Sequence, residues 1–148
     1  MIPSGLAHDH EAACAFSKAH DVWRTGDLEA FLALCHDDIT WTVNMDGITV
    51  PYGSSSYGKE DLRWRLIQLG TVFDLKAFEI RSITHTPEHC SSRVYCHYVH
   101  RIVGEPRQIT THFRGWLRDN HLIRMEESVD APYIEAYDRV MRYLDQQE

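Results

Sequence analysis

Cationic residues are in short supply: 15 Lys and Arg stand against 22 Asp and Glu, a formal charge of −7. Such a surface repels polyanions, so nucleic-acid binding is not expected. No apolar run approaches the length of a membrane span, and the start lacks the basic and apolar pattern of a leader. A cytoplasmic protein that does not engage a membrane is therefore expected. The four cysteines (Cys14, Cys35, Cys90, Cys96) have neither Cys-x-x-Cys spacing nor a paired framework, and are expected to be reduced and structural. The ten histidines do not suggest a metal either. His8 and His10 belong to an N-terminal stretch expected to fray, with residues 1–7 disordered, and His97 and His100 point to opposite faces of one strand. No metal, no cofactor, no internal repeat and no low-complexity segment are expected.

The 148 residues suit one domain over 1–148, large enough to bury a core without metals or disulfides. Ala12, Ala15, Phe16, Ala19, Val22 and Trp23 repeat at helical spacing from about His8 to Arg24, with Thr25-Gly26 as a stop. Asp27 caps a second helix, whose stripe is Leu28, Phe31, Leu32 and Cys35, and Asp37-Asp38 reads as the turn after it. Ile39 to Met45 alternates as a strand with Trp41 inward, and Asp46 to Gly58 has loop composition, with Tyr52 and Tyr57 as a possible lid. Lys59 to Thr71 is a third helix through Leu62, Leu66 and Leu69, with Trp64 and Ile67 on a neighbouring face. Asp74 to Thr86 is a strand, and a closing helix follows Pro132.

Between them, Ser92 to Asp130 reads as three antiparallel strands broken at Gly104–Arg107 and at Asp119-Asn120. A four-residue first turn sets Ile102 against Ile109, His100 against Thr111, Tyr98 against Phe113 and Cys96 against Gly115. Met125, Glu127 and Val129 join this mostly apolar face. The whole is an α+β arrangement with helices on one side of a curved, mostly antiparallel sheet, which together make a cone.

Several stretches resemble the nuclear transport factor 2-like, or SnoaL-like, superfamily. They are Trp23-Arg24-Thr25-Gly26-Asp27-Leu28-Glu29-Ala30-Phe31, Asp37-Asp38-Ile39-Thr40-Trp41, Gly58-Lys59-Glu60-Asp61-Leu62 and Arg118-Asp119-Asn120-His121-Leu122-Ile123. The resemblance implies the cone-shaped, cystatin-like form of that α+β fold with a C-terminal helix. It implies no single activity, because the superfamily includes isomerases, hydrolases, dehydratases, polyketide cyclases and inert modules. The positions aligned with the catalytic tyrosine and two acids of ketosteroid isomerases hold Ala19, Val43 and Phe113, so that machinery is absent. The limonene epoxide hydrolases are nearer by motif. Their water-activating Asp-Arg-Asp set aligns with His100, Tyr98 and Glu127, so one acid is kept and the other two groups are replaced; Trp41 and Val43 replace a further tyrosine and asparagine. The histidine, carboxylate and tyrosines of scytalone dehydratases offer a likeness of content.

The expected catalytic set is therefore His100, Glu127 and Tyr98, with Glu127 orienting His100 as a general acid/base and Tyr98 donating to a developing oxyanion. Trp41, Val43, Tyr52, Trp64, Phe73, Phe113, Met125 and Val129 are the expected substrate walls. This suits a small, mostly apolar, oxygen-bearing ligand and a cofactor-independent enzyme of isomerase, dehydratase or hydrolase type. A non-catalytic ligand-binding or assembly module, with the same three residues as a satisfied polar network, stays open. On the outer face Tyr95 is expected across from Trp116 and Val99 across from His112, a patch suited to a homodimer, as is common in the superfamily.

Overall fold

The computed structural model describes residues 14–43 and 55–129, with Arg139, Tyr143, Leu144 and Gln146 at helical positions beyond them. Helix α1 (Ala15–Thr25) stops at Gly26, which takes a left-handed conformation (φ 78°) and donates its N–H to the Trp23 carbonyl. Helix α2 (Leu28–Leu32) is capped by Asp27, whose carboxylate accepts the Ala30 N–H at 3.0 Å. Strand β1 (Cys35–Val43), the short β2 (Ser56–Tyr57) and helix α3 (Lys59–Val72) follow. Strands β3 (Phe73–His85), β4 (Cys90–His100), β5 (Pro106–Arg118) and β6 (His121–Val129) then complete the sheet. Its order is β2-β1-β6-β5-β4-β3, antiparallel throughout except for the parallel β1–β6 pair. The expected α+β fold with a curved, open sheet and helices on one side is what forms.

The helices meet the sheet closely. A Cβ on Gly115 would lie 2.5 Å from the Phe16 ring and 2.9 Å from the Met125 sulfur, so only glycine lets α1 settle there. Phe16 is fully buried as a result. At the edges, β2 is two residues long, and β3 carries Lys76, Glu79 and Arg81, which discourage further strand pairing.

Three local expectations are corrected. Cys35 opens β1 instead of ending α2, and Asp37-Asp38 lies within that strand. Pairing of Cys35 with Leu122 on β6 and of Thr40 with Arg124, with an irregularity between, outweighs the local turn composition. Trp64 is 52 % exposed and is not a substrate wall, because α3 buries the stripe through Leu62, Arg65 and Leu66 and two residues of helix turn a side chain by about 200°.

The third correction is the β4–β5 register. Tyr98 pairs with Arg107, Cys96 with Ile109, Val94 with Thr111, Ser92 with Phe113 and Cys90 with Gly115, a slip of six residues from the expected pairing. The cause is His100. Its Nδ1 accepts the backbone N–H groups of Ile102 (3.1 Å) and Val103 (3.2 Å), and Gly104, at φ 72°, donates to the His100 carbonyl. The chain therefore turns immediately after His100, and Ile102 is left 74 % exposed. On the outer face Tyr95 consequently lies across from Thr110 and His112 across from Arg93, while Val99 pairs with Pro106. Tyr52, and most of the predicted closing helix, lie outside the described residues.

Candidate functional site

A slip of six is even, so it preserves which residues share a face. Tyr98, Phe113, Met125, Glu127 and Val129 all line one inner cavity of about 90 Å³, together with Trp41, Val43 and Phe73. Glu127 sits between Val43 on β1 and Phe113 on β5, the two positions where the ketosteroid isomerase resemblance would put acids. A single carboxylate thus projects from the middle row into a largely apolar space.

Two features specify that carboxylate. The Trp41 indole Nε1–H donates to Glu127 Oε1 at 2.8 Å, fixing the carboxylate's orientation. The Arg65 guanidinium, on a residue only 5 % exposed, lies 5.3 Å from the centroid of the same indole. A carboxylate and a buried cation therefore share one tryptophan within the cavity wall, which lowers the cost of holding either charge there.

His20 is a further polar group lining the cavity. Its Nδ1 lies 2.7 Å from the Phe16 carbonyl, which can only accept, so Nδ1 carries the proton in the neutral ring; Nε2 then accepts from the Ser92 hydroxyl at 2.7 Å. Burial lowers the His20 pKa, opposed by the bond to the Phe16 carbonyl. Ser92 is buried behind the ring, outside the residues that line the cavity.

The structure does not bring His100 to Glu127. Glu127 shares a row with Phe113 and Ser92, and His100 lies eight residues further along β4, about 26 Å of strand. His100 is 1 % exposed, lies edge-on to Phe73 with ring centroids 5.2 Å apart, and caps the β4–β5 turn. Burial lowers its pKa, as does nearby Arg107, with Glu105 opposing. The expected His100–Glu127 dyad is thus replaced by two separate arrangements at opposite ends of one face. Tyr98 stands between them, lining both the cavity and an outer groove of about 440 Å³ that runs past Trp23, Gly26, Leu69 and Arg101.

Sequence reading missed Arg65 and His20, although each left a trace. Arg65 is three residues from Leu62 and four from Leu69, and His20 is four from Phe16, so both sit within apolar stripes where a polar side chain is out of place. Of the cysteines, Cys35 and Cys96 are held as thiols, burial pushing each up to about 12. No disulfide forms among the described residues.

On the outer face Trp116 lies between Arg124 (4.5 Å) and Arg114 (5.9 Å), and Arg81 covers Tyr95 at 5.2 Å. No helix among the described residues is long and apolar enough to cross a membrane.

Comparison with known proteins places this architecture. An NTF2-like protein of Burkholderia xenovorans is similar at a TM-score of 0.69 and 14 % identity, over 82 % of this chain and 91 % of that one. TerC, crystallised with polyporic acid, is similar at 0.67 and 19 %, over 82 % and 95 %. IdmH of Streptomyces antibioticus, a candidate polyketide cyclase, is similar at 0.67 and 17 %, over 82 % and 94 %. At these identities the likeness is one of fold. No curated protein matches the chain in sequence. The family model of the SnoaL-like domain matches residues 16–125, from the first helix into the sixth strand, and the chain belongs to that family.

Proposed function

We propose that the protein is a cofactor-independent enzyme acting by general acid/base chemistry on a small, mostly apolar molecule with one or two oxygens. The observation that carries this reading is the Glu127 carboxylate, held by the Trp41 N–H at 2.8 Å in an apolar cavity that the buried Arg65, packed on the same indole, also lines. Glu127 takes a proton from carbon next to a carbonyl group. The Arg65 guanidinium stabilises the charge that develops on the oxygen, and Glu127 returns the proton at another position. The proton goes back to carbon in isomerisation, to the alkoxide formed by carbon–carbon bond formation in ring closure, and to the departing hydroxyl, which leaves as water, in dehydration. A cavity of about 90 Å³ is small beside ordinary ligand sites of roughly 300–1,000 Å³, so the outer groove of about 440 Å³, meeting it at Tyr98, takes the rest of the molecule. Tyr98 at that junction donates to a second oxygen. The polyporic acid held by TerC and the cyclase candidacy of IdmH support the same ligand class.

We also place a homodimer interface on the outer face around Tyr95, Val99, His112 and Trp116, in a cytoplasmic protein. Sedimentation at several concentrations tests it; a monomer throughout would refute it.

The functional reading is tested with a panel of apolar ketones, phenols and hydroxyquinones. Binding is detected by a rise in melting temperature, and proton abstraction by hydrogen–deuterium exchange at carbon in heavy water. Exchange catalysed by the wild type and lost in Glu127→Gln is expected. Binding without exchange or turnover would favour a ligand-binding module.

A further inference from the structure

A second cluster of chemically capable side chains lies away from the cavity. Cys14, His85 and Cys90 bring two sulfurs and an imidazole nitrogen within 4.8 Å of one another. Local structure fixes each. His85 ends β3 and Cys90 begins β4, directly paired across the hairpin. Its turn is closed by Thr86, whose N–H and hydroxyl both donate to the His89 carbonyl, at 3.0 and 2.8 Å. Cys14 is the N-cap of α1, and the next N–H, that of Ala15, is anchored on Asn120 Oδ1 at 2.9 Å.

We propose that Cys14, His85 and Cys90 form a binding site for a thiophilic divalent cation of the Zn²⁺ type. With Zn–S of about 2.3 Å and Zn–N of about 2.05 Å, a tetrahedral site has S···N edges of about 3.6 Å and an S···S edge of about 3.8 Å. Cys14 Sγ already lies 3.3 Å from His85 Nε2, and the remaining separations, at most 4.8 Å, close with side-chain rotations of a few tenths of an ångström to about 1 Å. Two thiols lose their protons as the ion binds, so the resulting thiolates neutralise its charge. The fourth position faces Ser17, whose hydroxyl is 3.1 Å from His85 Nε2, and takes a water or that hydroxyl. Cys14 itself points to a role other than capping. Its backbone is extended as an N-cap requires, yet its side chain makes no cap hydrogen bond, and cysteine is not among the residues preferred there. Bound metal would clip the start of α1 to the β3–β4 hairpin, and α1 is the helix that presents Phe16 and His20 to the cavity.

The test uses the full chain, reduced, loaded with Zn²⁺ or Co²⁺ and dialysed. Retention of about one ion per chain is expected, with the visible absorption of a tetrahedral cobalt–thiolate site and a higher melting temperature in Zn²⁺. Cys14→Ser and Cys90→Ser should lose the ion, and Cys35→Ala, on another part of the fold, should keep it. Cys14→Ser guards against misreading an unfolded variant, because serine is a favoured N-cap and should leave the metal-free melting temperature equal or higher. The proposal is overturned if the wild type retains no ion after reduction, if the two serine variants retain it, or if the thiols form only a Cys14–Cys90 disulfide.

Discussion

The two ends of the inner sheet face carry polar residues drawn from the same alternating pattern, yet they do opposite work. At one end Glu127, Trp41 and Arg65 line a cavity, and among the described residues the carboxylate accepts one N–H, that of Trp41, which leaves the rest of its accepting capacity for a ligand. At the other end His100 is 1 % exposed, accepts two backbone N–H groups and is covered by Phe73, while the fully buried Arg107 pairs with Glu105 at 3.0 Å. The difference lies in what each polar group satisfies: His100 serves its own backbone, and Glu127 serves another side chain beside open space. An inward polar residue on an apolar face is therefore assigned by its partners, not by its position.

Variants at the two ends should separate along these lines. The largest effect is expected from Glu127→Gln, which keeps an oxygen for Trp41 but cannot accept a proton. Catalysed exchange or turnover should fall by roughly 10²–10⁴-fold with the melting temperature unchanged, by kinetics and calorimetry. His100→Ala should do the reverse, costing about 1–3 kcal/mol in urea unfolding because the Ile102 and Val103 N–H groups lose their acceptor, while ligand affinity stays as it was. Trp41→Phe keeps the ring beneath Arg65 and deletes the N–H; a loss of about tenfold in kcat/KM, equivalent to about 1.4 kcal/mol, should follow.

The smallest effect is on pH dependence. Burial lowers the pKa of both His20 and His100 from 6.5, so between each lowered value and 6.5 the unfolded chain holds more protons than the folded one. The corresponding stability is present above about pH 6.5 and is lost as the pH falls through that value toward the folded one. Urea midpoints should fall between about pH 7 and pH 5. His100→Ala should remove only its own share of that slope, leaving the part due to His20.

Much of this was legible in the chain. Period-two alternation identified the inward residues of β4, β5 and β6, and those assignments survived a six-residue error in register because six is even. The register was not legible, since Ile102 and Val103 have strand composition and nothing local announces that the His100 imidazole turns the chain before them. The parallel pairing of β1 with β6 joins residues 84 apart, as for Val43 and Glu127 (127 − 43), and no local pattern encodes it. Arg65 and His20 were visible as polar breaks in helical stripes, but their meaning depends on their contacts with Trp41 and Ser92, which come from distant strands.

On the proposed reading, chemistry belongs to the Glu127 end and turn architecture to the His100 end. The most direct test is a crystal structure with a ligand that raises the melting temperature. A ligand oxygen or acidic carbon is expected within hydrogen-bonding reach of the Glu127 carboxylate, about 3.2 Å or less, with His100 Nδ1 still on its two backbone N–H groups. A ligand bound to His100, or seated in the outer groove with no approach to Glu127, would contradict it.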